Sequence, residues 1–221
     1  MVDERTRYLQ LAFNDDLAMA TRLVPTLPKD PRLILEAGTP FIKREGMRGV
    51  RGLRGLWPYN VLADLKTADG AVDEVVMAAG AGASQATVLG SCPPETLNLF
   101  IETCAAYGLD SFVDLIGLSD PLSVVRRLRQ PPTGVVLHLG RDEESSRGKM
   151  IQYKHVNRIL SKFDVAIAAA GGVDLKGAAS AVFNGAQIVV VNVVPPGAPW
   201  AGIPSTGDVA GMVKQFLATI A

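Results

Sequence analysis

Short apolar runs recur along the chain, and each is followed by a stretch with helical features. Tyr8–Phe13, Leu33–Ala37, Tyr59–Leu65, Ala86–Leu89, Ser111–Ile116, Gly134–Leu139, Val165–Ala169 and Gln187–Val191 read as strands. Ile188-Val189-Val190-Val191 is apolar at every position rather than at alternate ones, the mark of a strand buried on both faces. The intervening helices are predicted over 15–23, from Pro40 to about Arg54, over 70–81, from Pro93-Pro94 to Tyr107, over 120–128, over 153–163, from Gly171-Gly172 to Asn184, and over 208–220. Between Pro25 and Pro31 three prolines in seven residues exclude a helix. Gly140 to Lys149 reads as a polar loop.

Strands that alternate with helices favour a parallel sheet. Eight such units in 221 residues predict an α/β fold, a single-domain (β/α)8 TIM barrel over 1–221. The alternative is a doubly wound open sheet. The first strand–helix turn, Phe13-Asn14-Asp15-Asp16, lacks the glycine-rich phosphate loop that such a sheet uses.

Composition narrows the function classes. Residues are 48% hydrophobic and 20% charged, which suits a large core rather than disorder. Twenty-two basic side chains balance twenty-two acidic ones, so no global field favours nucleic acid or an anionic membrane. Lys43, Arg44, Arg48, Arg51 and Arg54 read as the wet face of a helix. Cys92 and Cys104 have no ligand-spaced partners and read as ordinary thiols of a reducing compartment. With neither a signal-peptide pattern nor an apolar run of membrane length, the expectation is a cytoplasmic protein without membrane contact.

Barrel chemistry gathers where strands end at their C-terminal side. There the chain places Asn14, Glu36, Asp64 with Lys66, Asp114, His138 and the pair Gly171-Gly172. In Ala63-Asp64-Leu65-Lys66-Thr67-Ala68-Asp69 the period of two sets Asp64 and Lys66 on one side of the strand. A surface ion pair, with Asp69 capping the next helix, is the plain reading; paired charges at a buried strand end are the functional one. Gly171 and Gly172 offer backbone N–H groups to a phosphate.

These residues resemble the orotidine-monophosphate decarboxylase superfamily. The likeness is carried by Glu36-Ala37-Gly38-Thr39-Pro40, by Asp64-Leu65-Lys66-Thr67-Ala68-Asp69, by Ala86-Thr87-Val88-Leu89-Gly90 and by Val113-Asp114-Leu115-Ile116-Gly117. It is strongest to the 3-hexulose-6-phosphate synthase branch, which joins formaldehyde to ribulose 5-phosphate. The sister branch is 3-keto-L-gulonate-6-phosphate decarboxylase. The resemblance implies a homodimer with shared active sites. It implies Mg2+ held by Glu36 and Asp64, and Lys66 stabilising an enediolate oxygen. Asp69 would reach the neighbouring subunit's site, Asp114 would bind substrate hydroxyls, and His138 would move the C1 proton. Arg141, three residues past His138, is similar to an arginine of the decarboxylases that delivers a proton.

Two departures stand out. Asn14, followed by Asp15, replaces an aspartate usual at the end of strand one. Asn192-Val193-Val194-Pro195 replaces the glycine that usually follows strand eight, and proline has no N–H to give a phosphate. Phosphate is thus expected to lean on Gly171 and Gly172, with Asn192 nearby. The stretch Pro196 to Pro204 is either a rigid connection or a reshaped lid carrying Trp200. A barrel repurposed for binding or for another substrate stays open beside the two enzyme readings.

Overall fold

The computed structural model describes residues 2, 3, 5–144 and 150–221. Residues 145–149 of the expected polar loop lie outside them. Eight parallel strands follow in order: β1 (Tyr8–Phe13), β2 (Leu33–Ala37), β3 (Val61–Thr67), β4 (Gln85–Leu89), β5 (Asp110–Asp114), β6 (Gly134–His138), β7 (Ala166–Ala170) and β8 (Ile188–Val194). Each pairs with the next, and β8 pairs back onto β1, from Tyr8 opposite Ile188 to Phe13 opposite Val193. The sheet is therefore closed, which leaves the eight strands without a free edge. The helices between them are α1 (Leu17–Leu23), α2 (Thr39–Leu56), α3 (Ala71–Gly80), α4 (Pro94–Ala106), α5 (Pro121–Val125), α6 (Arg141–Glu144), α7 (Val156–Leu160), α8 (Leu175–Phe183) and α9 (Val209–Thr219). The chain is a (β/α)8 barrel.

Two apolar layers follow from the period of two along each strand. One set of alternating positions, including Ala12, Ile34, Leu62, Phe112, Val136, Ala168 and Val190, fills the barrel. The other set, including Leu11, Leu35, Ala63, Val113, Val135, Ile167 and Val189, packs against the helices. Burying each large aliphatic side chain contributes about 1.5–3 kcal/mol. Strands covered on both faces were readable as continuous apolar runs for this reason.

Differences from the sequence expectation have local causes. α1 begins two residues late because Asp16 is its N-cap, accepting from the Met19 N–H at 2.8 Å. Asp69 caps nothing; Gly70 holds the N-cap position of α3. α5 stops at Val125, short of Leu128, and the chain beyond it is drawn aside where the Arg129 N–H donates to the Asn98 side chain at 2.8 Å. The expected helix over 153–163 is a single 3-10 turn followed by α7. α2 is interrupted at Gly46, whose φ of 60° leaves the helical region.

The largest difference lies at β8. It continues to Val194 and takes on a ninth, two-residue strand, β9 (Ile203–Pro204), with Val193 opposite Ile203 and Val194 opposite Pro204. The connection folds tightly over the strand end, and a Cβ on Gly202 would lie 2.4 Å from the Asn192 carbonyl oxygen. Among the described residues, no helix is long and apolar enough to cross a membrane.

Candidate active site

The barrel's inward positions change character toward the C-terminal ends of the strands, where apolar side chains give way to ionisable ones. A cavity of about 370 Å³ opens there. Its lining includes Gln10, Asn14, Glu36, Asp64, Lys66, Thr87, Asp114, His138, Arg141, Glu144, Gly171 and Asn192. β1, β2, β3, β4, β5, β6, β7 and β8 all contribute, either directly or through the loop that follows.

Lys66 stands at the centre. Its Nζ lies 2.7 Å from Asp64 Oδ2 and 2.9 Å from Asp114 Oδ2. Burial works against its charge, but the two carboxylates outweigh it and hold the ammonium above the usual lysine range. The backbone at Lys66 is left-handed, with φ 47°, uncommon for a side chain of this size. The β3–β4 register shifts between Ala63 and Thr67 to accommodate it. Thr87 secures this turn from β4. Its Oγ1 accepts from the Lys66 N–H at 2.9 Å and donates to Asp64 Oδ1 at 2.8 Å. Thr39 holds the other Asp64 oxygen, donating from Oγ1 at 2.8 Å.

Asp114 is buried and joins three groups. Oδ1 accepts from the Ile116 N–H at 3.0 Å, while Oδ2 faces both Lys66 and His138 Nδ1, the latter at 2.8 Å. Burial alone would raise its pKa; the hydrogen bond and charge of His138, with Lys66 beside it, instead bring it down to about 2. His138 responds in the opposite sense. Burial disfavours the imidazolium, but the Asp114 carboxylate lifts its pKa above the ordinary histidine value.

Glu36 is the uncompensated acid. Burial first, and the Asp64 charge second, push its pKa up to about 7. Gln10 Nε2 donates to it at 2.6 Å. Two buried carboxylates that repel one another form an oxygen-rich pair of the sort a hard divalent cation would neutralise. Among the described residues no group of three or more His, Cys, Asp or Glu is arranged around a metal position. Glu36 and Asp64 thus fit an ion that takes its remaining ligands from water and substrate, as magnesium commonly does.

The other expected positions divide. Asn14 Nδ2 donates to Asn192 Oδ1 at 2.9 Å, so both line the cavity as one pair. Asp15 does not take over from the missing aspartate; it pairs with Arg44 on the exposed surface. Asp69 is exposed on the turn after β3 and does not line this chain's cavity. Gly171 lines the cavity, with φ 114° and Leu139 O only 2.3 Å from where a Cβ would sit. Glu144 crowds Gly172, with Oε2 2.9 Å from where a Cβ would sit. Gln10, Thr39, Thr87 and Glu144 were not singled out from sequence. Lone polar residues in apolar strands carry no spacing signal, and Glu144 sits in an acidic run that reads as solvated.

Residues 7–192 match the orotidine 5'-phosphate decarboxylase / HUMPS family. The chain belongs to that family. A bifunctional enzyme Fae/Hps from Methanothrix thermoacetophila is 34% identical to this family member over 215 residues, covering 96% of the chain. The chain spans 52% of that relative, about half its length. The crystal structure of 3-hexulose-6-phosphate synthase from Salmonella typhimurium superposes with a TM-score of 0.84 at 27% identity, covering 96% of this chain and 98% of that one. KGPDC from Streptococcus mutans, solved in complex with D-R5P, superposes with a TM-score of 0.79 at 19% identity, covering 97% of each chain, a likeness of fold.

Proposed function

We propose that this family member is a carbon–carbon lyase of the 3-hexulose-6-phosphate synthase kind, which reversibly joins formaldehyde to C1 of ribulose 5-phosphate through an enediolate. The observation that carries the reading is the Lys66–Asp114–His138 system at the strand ends, in a chain more like the synthase than the decarboxylase in sequence.

Each residue's part follows from its surroundings. His138 takes the C1 proton. Its Nδ1 is engaged by Asp114, which leaves Nε2 as the nitrogen that exchanges protons when the ring is neutral. Electrons from the broken C–H bond move to the adjacent carbonyl oxygen, where negative charge builds. Lys66, fixed as an ammonium, stabilises that charge more in the transition state than in the ground state. C1 then attacks the formaldehyde carbon, and the former aldehyde oxygen takes up a proton to become a hydroxyl. Asp114 keeps Lys66 and His138 in register and can accept from substrate hydroxyls through its remaining lone pairs. Glu36 and Asp64 would hold Mg2+, which supplies Lewis-acid stabilisation to the sugar's carbonyl and hydroxyl oxygens when bound. Asp69, exposed here, would serve the site of a second copy in a homodimer. Free, buried Cys92 and Cys104 suit the cytoplasmic setting that forms part of this proposal.

Formaldehyde consumption that depends on both ribulose 5-phosphate and Mg2+ tests the proposal directly. Absence of such consumption, with release of CO2 from 3-keto-L-gulonate 6-phosphate instead, would transfer the chain to the decarboxylase reading. Arg141 in the cavity lining is the observation that favours this second reading.

A further inference from the structure

The connection after β8 takes a course that the sequence left open between a rigid link and a lid. β8 runs on into pairing with β9, and the Ser205 N–H donates to the Val194 carbonyl at 2.7 Å. The strand-eight end is thereby committed to backbone pairing, and the Asn192 side chain is held by Asn14. The same connection brings Trp200 against Arg141, which lines the cavity. There the Arg141 guanidinium stacks on the indole ring, 4.6 Å from its centroid. A guanidinium stacked by its face keeps its N–H edge for a planar or tetrahedral oxyanion.

Facing these groups is a carboxylate of the chain itself. Glu144 lines the cavity together with Arg141, three residues before it on α6, and packs against Gly172. Its Oε2 sits 2.9 Å from where a Cβ on Gly172 would be, so the carboxylate presses against the glycine backbone. The arrangement is that of an anion packed against a glycine turn beside an arginine, with the anion supplied in cis.

We propose that Glu144 determines which ligands this cavity accepts, by lodging its carboxylate against the Gly172 backbone beside Arg141 so that only an anion able to replace it there can bind. A phosphate monoester is suited to the exchange. It carries nearly two charges and three acceptor oxygens, against one charge and two oxygens for the carboxylate. A neutral sugar leaves Glu144 where it is. Trp200 acts through Arg141 as a positioning residue. The inference deepens the proposed function by naming the residue that makes its phosphate end selective, and it rests on that reading only for the identity of the sugar.

Calorimetric titration of the full chain with inorganic phosphate, and separately with ribulose 5-phosphate, tests it. Glu144→Gln removes the charge while keeping the size and shape of the side chain. Inorganic phosphate should then bind roughly fivefold or more tightly, the factor that loss of about 1 kcal/mol of competing charge produces. Trp200→Leu should weaken it by a similar factor. In turnover, the Glu144→Gln effect should fall on KM for the sugar phosphate more than on kcat. Phosphate binding that is unchanged or weaker in Glu144→Gln, repeated in Glu144→Ala, overturns the inference. If phosphate follows the expected pattern while ribulose 5-phosphate fails to bind the native chain, the inference stands and the proposed substrate falls.

Discussion

One carboxylate oxygen serves both Lys66 and His138: Oδ2 of Asp114 lies 2.9 Å from Lys66 Nζ and 2.8 Å from His138 Nδ1. Under the proposed function, the cation that would stabilise charge and the base that would move the proton therefore share an anchor. Asp114 raises the pKa of His138, so Asp114→Asn should lower it. The pH limb of C1 proton exchange, read by deuterium incorporation into ribulose 5-phosphate, should move to lower pH. Its plateau should fall by roughly 100-fold, since both groups lose their placement. An unmoved limb would show that the titrating base is not His138.

Removing Lys66 has two consequences. Lys66→Met should cut turnover by roughly 100-fold or more, as expected for loss of a donor to developing negative charge. It should also destabilise the fold, by about 3–5 kcal/mol, because buried Asp64 and Asp114 lose the cation between them. Paired activity and urea-unfolding measurements separate the effects. Native stability in the variant would mean that the carboxylates are not charged around this lysine.

Thr87 is expected to act through its hydroxyl alone. Thr87→Val keeps the shape but removes the acceptor for the Lys66 N–H and the donor to Asp64. A loss of about 1–3 kcal/mol in stability is expected from the groups left unpaired. Thr87→Ser should recover most of both stability and kcat. Damage from Ser but not from Val would trace the effect to the lost methyl packing instead.

Stability should fall as pH rises from about 5 to 8. Glu36 has a folded pKa of about 7, above its ordinary value of 4.5, so its contribution is greatest below the unfolded pKa and is lost through the folded one. His138, also raised, adds to the decline above the ordinary histidine pKa of about 6.5. For Glu36 the loss is on the order of 3 kcal/mol. Asp114, lowered to about 2, gives the opposite slope only in strong acid, as pH falls from about 4 through 2. Mg2+ should restore thermal stability at pH 8 in the native chain and much less in Glu36→Gln. Calorimetric scans with and without Mg2+ decide this, and an equal response of the variant would remove Glu36 from the metal site.

Asp69 leads to a complementation experiment. If two copies share sites, Lys66→Met and Asp69→Ala chains, each inactive alone, form mixed dimers with one intact site. Random mixing then restores about a quarter of native activity. Mixtures as inactive as their components would confine Asp69 to a surface role.

The barrel was legible because of burial. Strands covered on both faces must be apolar throughout, and Val135-Val136-Leu137 or Ile188-Val189-Val190-Val191 can hardly be anything else. Glu36, Asp64, Asp114 and His138 stood out as charged residues at the ends of such runs. Lys66 was visible for the same reason, but its left-handed backbone was not, since no local pattern marks it and Thr87 secures it from 21 residues away. β9 escaped notice because two residues, one of them proline, carry no strand signal. α5 was overestimated because the bond from Arg129 to Asn98 is a tertiary contact that competes with helix propensity. Glu144 hid in Asp142-Glu143-Glu144, where only the fold shows that Asp142 and Glu144 line the cavity.

The short β9 strand also separates two kinds of change the barrel can undergo. Its pairing is confined to the last two residues of β8, beyond most of the register that closes β8 against β1. Under the proposed function, a loop exchanged at this point would remodel recognition of the ligand's anionic end while Lys66, Asp114 and His138 on β3, β5 and β6 keep their places. Evolvability is thus partitioned by geometry: recognition can drift through one connection, and the reactive end is held by the closed sheet. Replacing residues 195–204 with a short glycine-containing connection is a natural starting point for changing what the pocket recognises without rebuilding how it reacts.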